Sequence, residues 1–296
     1  MIQSRLAGFG SIALGFGIAV SAILGPLVLN VVKFRTSPNI EHQFVGGEVV
    51  SLAVVAPLAI TAGVLWLRDL RVAAPLALGP AIYAVYTYTT VIAGQEYARY
   101  DGNVEKFFPL YAGLVAGGAA IAACAWGRLN ETAAPIPSDG LRWTMAGIFA
   151  GVGGFFALAW AQQIRLVYAG SPPVEYAEGP TLFWTIKLLD FGFLIPVLIA
   201  TGVGLARQHP TAIRAACGLA TFVTCLAGSI AGMAVVMQGK GDPSAEPVML
   251  AVVVPATVGL ALMTERLLRS YPRGTSECPP ATTSHLSKWQ IGTAGS

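Results

Sequence analysis

Apolar residues in this chain run in long blocks separated by short polar links. Eight blocks stand out, at roughly 6–32, 47–67, 75–94, 107–127, 142–164, 182–206, 212–237 and 247–268. A helix needs about 20 mostly apolar residues to cross a hydrocarbon layer of roughly 30 Å, and each block reaches that length. In lipid the backbone must satisfy its own hydrogen bonds, so every block is predicted to be helical. The expected fold class is all-α: a polytopic transmembrane helical bundle of about eight spans. The narrowest links are Arg68-Asp69-Leu70-Arg71, between the second and third spans, and Arg207-Gln208-His209-Pro210, between the sixth and seventh. The first block greatly exceeds the roughly 7–15 residues of a signal-peptide core, so we read it as an uncleaved first helix.

Composition agrees. Of 296 residues, 55% are hydrophobic and 11% charged, with a mean hydropathy of +0.65. Soluble domains carry roughly 25% charged residues, so this chain cannot coat a water-facing surface. A soluble globular enzyme, a disordered chain and a nucleic-acid binder are excluded, and the partner implied first is the lipid bilayer. The stretch from 270 to 296 is rich in Pro, Ser, Thr and Gly, with little to bury, and reads as a disordered cytoplasmic tail.

Charge placement sets an orientation. With the N-terminus inside, the inner segments carry eleven basic residues, among them Arg68, Arg71, Arg207 and Arg266, against six in the outer loops. The positive-inside rule then puts both termini in the cytoplasm of a plasma-membrane protein. Asn130-Glu131-Thr132 matches a glycosylation sequon but falls on the inner side, so it is not expected to be used.

Sliding the chain on itself by 139 residues aligns the first three spans with the fifth to seventh. Over positions 6–81, seventeen residues coincide, including Gly15 with Gly154, Phe44 with Phe183, Pro57 with Pro196, Gly63 with Gly202 and Arg68 with Arg207. One shift aligns two spans, a loop, a mid-helix proline and a terminal arginine, which points to a parallel 4+4 duplication. The halves would be 1–132 and 133–269, related by an axis along the membrane normal.

Candidate chemistry is confined to a few polar residues in the spans. Lys187 and Asp190 lie three apart on one helix face, and an ionisable residue inside a membrane is a functional candidate. Lys187 is near enough to the surface to snorkel, whereas Asp190 is deeper and short. The duplication matches Glu48 to Lys187 and Ser51 to Asp190, which suggests a Glu48–Lys187 ion pair across the pseudo-symmetric interface. Pro57 and Pro196 are hinge or kink candidates that would free the carbonyls of Ala53 and Gly192. Tyr83 and Tyr86 share a face of the third span, and Gln162 closes the fifth, so a ligand cavity is expected to open on the outer side. The pairs Gly113/Gly117, Gly147/Gly151 and Gly228/Gly232 are read as close packing within the monomer.

Other chemistry finds no foothold in the sequence. The four cysteines form no CxxC, and three fall in apolar blocks. His42, His209 and His285 lie outside those blocks, which leaves no haem ligand within a span. The chain shows no Walker loop, HExxH, GxSxG or arginine ladder. No catalytic residues, metal or cofactor are assigned.

The segments HQFVGGEVVSLAVVAPL, IYAVYTYTTVIAG and KLLDFGFLIPVLIATGVGL resemble a group of multi-pass bacterial and archaeal membrane proteins with no assigned activity, and residues 43–94 and 185–206 carry the similarity. Glu48 stands where that group carries an acid, and Gly47 where glutamine is commoner. The resemblance implies the membrane class and nothing chemical. The leading expectation is a small-solute transporter or permease with an outward polar site holding a small-molecule ligand. The rivals are a non-catalytic membrane partner and a membrane-embedded enzyme acting on lipid.

Overall fold

A computed structural model describes residues 2–131, 137–242, 245 and 247–271. The described residues are helical, with no strand: α1 (Ile2–Leu24), α2 (Pro38–Val50), a π turn (Ser51–Val55), α3 (Ala56–Leu67), α4 (Ala73–Ala93), a 3-10 turn (Val104–Phe107), α5 (Phe108–Glu131), α6 (Asp139–Tyr168), the short α7 (Val174–Glu178), α8 (Pro180–Leu189), a second π turn (Asp190–Leu194), α9 (Ile195–Ala206), α10 (Pro210–Gly239) and α11 (Pro247–Arg269). The α2–α3 and α8–α9 pairs each run through their π turn as one rod. Eight helical rods are therefore long and apolar enough to cross a membrane. Leu6, Phe155, Leu158, Leu188 and Val252 are exposed around the bundle. So much bare apolar surface would be a liability in water and fits a multi-pass membrane protein. Thr132 of the sequon and the tail from 272 lie outside the described residues.

Two span boundaries differ most from the sequence expectation. The first span stops at Leu24 rather than near 32, because Gly25-Pro26 breaks it: proline has no N–H and crowds the preceding turn. The chain then folds back, with Asn30 at φ +50°. The amides of Val31 and Val32 close on the Leu24 carbonyl at 2.9 and 2.8 Å. The second span begins at Pro38 rather than 47. Ser37 caps it by accepting the Ile40 amide, and Pro38 takes the first turn, where a missing N–H costs nothing. The added turns carry Glu41, His42 and Gln43, so hydropathy alone does not reveal them. His42 Nδ1 lies 2.8 Å from Asp242 Oδ2, which ties that start to the loop after α10.

Small residues let the rods approach closely. α1 lies on α3, where a Cβ on Gly63 would stand 2.6 Å from the Gly8 carbonyl oxygen. α6 lies on α9 in the same way, with a Cβ on Gly202 2.8 Å from the Ala146 oxygen. α4 and α10 form the central pair, and α2 crosses α10 at Gly46 and Gly232. Of the three GxxxG pairs, only Gly228/Gly232 packs closely inside the monomer. Gly113, Gly147 and Gly151 have nothing within 4 Å of a built Cβ, and Gly117 only Leu14 at 3.9 Å. Those glycines face open space rather than a closely packed helix, so that expectation fails for two of the pairs.

Pro57 and Pro196 act through π turns. A proline ring crowds the carbonyl four residues earlier. Just before each proline the helix widens by one residue, so that the Ala56 amide reaches back to Ser51 and the Ile195 amide to Asp190. The π turns, the helix ends at Arg68 and Arg207, and the left-handed residues Asp69 and Gln208 (both φ +56°) each lie 139 positions apart.

Candidate functional site

Each π turn turns its first side chain inward, and α4 supplies a tyrosine to each. The Ser51 hydroxyl lies 2.9 Å from the Tyr83 hydroxyl, which in turn lies 2.6 Å from Ser229 on α10. Tyr86, one turn further along α4, donates to Asp190 Oδ1 at 2.8 Å. Trp160 of α6 donates its indole N–H to Asp190 Oδ2 at 2.6 Å. Asp190 is 2% exposed, and both its oxygens are held by neutral donors from two other helices. Short bonds to a carboxylate in a low-dielectric setting are the strong kind.

Lys187 sits one turn before Asp190 and is 6% exposed. Its ammonium lies 3.5 Å from the centre of the Trp160 ring and 4.3 Å from that of Phe183. Among the described residues it forms no ion pair with a carboxylate. Trp160 therefore serves two groups, its ring face cradling the cation and its N–H holding the anion. Each desolvated cation–π contact yields about 2 kcal/mol or more, while desolvating an ammonium costs several kcal/mol. The aromatic faces and the Asp190 carboxylate one turn away offset that cost, and the three ammonium donors suit an anionic group.

The expected Glu48–Lys187 pair is not formed. Glu48 turns instead to the end of α1, where its Oε2 accepts the Leu27 amide at 3.1 Å. Gly25 gives it room, since a built Cβ there would overlap the carboxylate. Lys187 is drawn the other way, onto Trp160. Gln162 is exposed and accepts from Arg165 Nε at 3.1 Å, so it faces away from the cluster. Tyr83 is consumed by its two serines. Of the ligand candidates, Asp190, Lys187 and Tyr86 come together. Trp160 and Phe183 complete the group, although in sequence Trp160 reads as one more aromatic near a helix end.

Above this group the links at the α7 end are laced together. Glu178 accepts from Ser37 Oγ at 3.0 Å and from Asn39 Nδ2 at 2.9 Å. Arg99 donates to the Ala177 carbonyl at 2.7 Å, Glu96 accepts the Thr181 amide at 2.6 Å, and Arg35 pairs with Glu105 at 2.7 Å. A groove of about 960 Å³ lies elsewhere, between α6 and α11 toward the opposite end, lined by Ser138, Gly147, Gly151, Gly259, Met263 and Arg266 among others. It does not reach Asp190. Among the described residues no three His, Cys, Asp or Glu side chains gather as a metal site would need. In comparisons with known proteins, no family model, curated protein or solved structure matches the chain.

Proposed function

We propose that this chain is a permease-like membrane protein that binds a small solute through an anionic group at Lys187, on the extracytoplasmic side. The observation that carries the reading is the buried ammonium of Lys187, caged by Trp160 and Phe183 and, among the described residues, with no carboxylate oxygen within 4 Å. Asp190, already held by Tyr86 and Trp160, orients the cage and can accept from a donor on the solute. The two prolines with their π turns supply places where a rod can bend, since π turns recur at functional sites. The duplication is part of the proposal: α1–α5 and α6–α11 would be parallel repeats, with both termini in the cytoplasm of a plasma-membrane protein. The shared 139-residue spacing of π turns, prolines and helix ends supports it.

The test is equilibrium binding and uptake by the full chain in liposomes, with a panel of radiolabelled small mono- and dicarboxylates and amino acids. Saturable binding of one class, lost in Lys187→Gln, is the expected result. Equal binding by Lys187→Gln, or no binding across the panel, overturns the reading. The open glycine-lined groove between α6 and α11 favours a second reading, a non-catalytic membrane partner docked there by a neighbouring helix. In that case Gly151→Leu would abolish the association and leave Lys187 irrelevant.

A further inference from the structure

The groove between α6 and α11 is apolar along its length and basic at one end. Arg142, in the first turn of α6, reaches the end of α9, from which α10 sets out. Thr264, near the finish of α11, meets Thr224 of α10 at 2.9 Å. The start of α6 and the finish of α11 therefore share one end of the bundle. α6 packs on α9 and α11 on α10, and the two walls stand apart across about 960 Å³. Among the first four rods the same kind of seam is closed. There Leu114 and Ile121 of α5 lie against Gly17 and Gly10 of α1, each 2.8 Å from a Cβ built on the glycine. Between α6 and α11 the lining includes Gly147, Gly151 and Gly259, which have nothing within 4 Å of a built Cβ.

The depth of the groove selects its occupant. On α6 the lining runs from Ser138 to Val152, a rise of roughly 20 Å, and on α11 from Arg266 back to Ala256, roughly 15 Å. One leaflet supplies about 15 Å of hydrocarbon, half of the roughly 30 Å total. The groove is thus one leaflet deep, whereas a neighbouring helix would need a seam through both. Its inner reach is formed by Ile148, Val152 and Leu260. Thr144 spends its hydroxyl on the Gly140 carbonyl at 2.8 Å, which leaves Ser138 and Arg266 as the polar mouth.

That mouth is positive. Arg266 is the one charged residue in the lining, and among the described residues no carboxylate oxygen lies within 4 Å of it. The neighbouring acids are taken, Glu265 by Arg269 at 2.6 Å and Asp139 by Arg142 at 2.9 Å. The N-terminus of α6, the positive end of its dipole, adds to the same mouth.

We propose that this groove binds one anionic glycerophospholipid from the leaflet on its side. An acyl chain lies along Gly147, Gly151 and Gly259, and the phosphate sits on the guanidinium of Arg266. A guanidinium can fork onto two phosphate oxygens, and a slot floored by glycine admits a chain that larger side chains would exclude. A zwitterionic lipid brings an ammonium that meets only positive charge at the mouth. With the termini in the cytoplasm, this is the inner leaflet, whose lipids carry the negative charge. The site does not depend on what Lys187 binds.

The experiment is binding of fluorescent phosphatidylglycerol to the full-length protein in maltoside micelles, with unlabelled phosphatidylglycerol and phosphatidylcholine as competitors. Wild type binds saturably, and phosphatidylcholine competes about fivefold more weakly or worse. Arg266→Gln lowers affinity for phosphatidylglycerol about fivefold and erases the preference. Gly151→Leu and Gly259→Leu fill the slot from opposite walls, and each displaces two or more methylenes, lowering affinity for both lipids about tenfold or more. Both new side chains enter open space, so two variants that fold guard against the failure of one. Lys187→Gln leaves lipid binding intact, which separates failure of the solute reading from failure of this one. Absence of saturable binding in wild type overturns the proposal, as does equal competition by the two lipids or unchanged affinity in both glycine variants. Lipid binding that survives Gly151→Leu while association between chains is lost gives the groove to a neighbouring helix and also overturns it.

Discussion

Trp160→Phe is the substitution that most directly tests the cluster on the second π turn. It keeps an aromatic ring between Lys187 and the bundle but deletes the indole N–H that reaches Asp190 Oδ2 at 2.6 Å. A hydrogen bond to a charged group is worth about 1.5–3 kcal/mol in soluble proteins. Double-mutant cycles inside a bilayer average about 0.6 and peak near 1.7 kcal/mol. The short distance and the 2% exposure of Asp190 place this bond toward the upper bilayer value. Exchanging Trp for Phe beneath the ammonium, 3.5 Å from the ring centre, removes roughly a further 0.5–1 kcal/mol. The total expected loss is about 2 kcal/mol. Reversible unfolding in mixed micelles, titrated with denaturing detergent, measures it. A cycle with Asp190→Leu isolates the hydrogen bond. Tyr86 is orphaned in both backgrounds and cancels, leaving a coupling of about 1–1.5 kcal/mol. Coupling below about 0.3 kcal/mol, within the additivity of independent sites, would refute the claim that Trp160 holds Asp190.

Two further outcomes test the packing. Gly232→Leu should destabilise by about 3 kcal/mol or more, because its Cβ would stand 2.5 Å from the Gly46 carbonyl oxygen and backbone must move; Gly151→Leu, with nothing within 4 Å, should cost under about 0.5 kcal/mol in the same assay. Arg142 is buried and donates to the carbonyls of Leu205 and Ala206 at 3.1 and 3.0 Å, closing the end of α9. Arg142→Met leaves the Ala206 carbonyl without this donor, while the Leu205 carbonyl keeps the Gln208 amide at 3.0 Å, and should lower stability by about 1–2 kcal/mol, read as faster proteolysis in the link 207–209.

Much of the architecture was legible in one dimension. Membrane spans announce themselves because lipid penalises every polar group and unpaired amide, so eight apolar blocks become eight helical rods. The boundaries that moved did so for local reasons. Gly25-Pro26 stops an apolar run early, and Ser37-Pro38 starts a helix among polar residues. Asp190 was visible as a candidate because a short carboxylate deep in a span cannot reach water.

What Asp190 bonds to was not legible. Trp160 and Tyr86 stand 30 and 104 residues away in the chain, and in sequence they are two among many membrane aromatics. The Glu48–Lys187 pair looked natural from opposite charges at matched positions. It failed because each residue found a nearer partner: the broken end of α1 for Glu48, an indole face for Lys187.

The sequence by itself determined the rods, their prolines and the few polar residues they must bury, since those follow from composition against a bilayer. Only the tertiary structure decided which of those residues share a site. Spans are nearly uniform in hydropathy, so nothing along the chain encodes how each rod is rotated. Small residues such as Gly63, Gly202 and Gly232 set the distances of approach, and the π turns set the rotation that turns Ser51 and Asp190 inward.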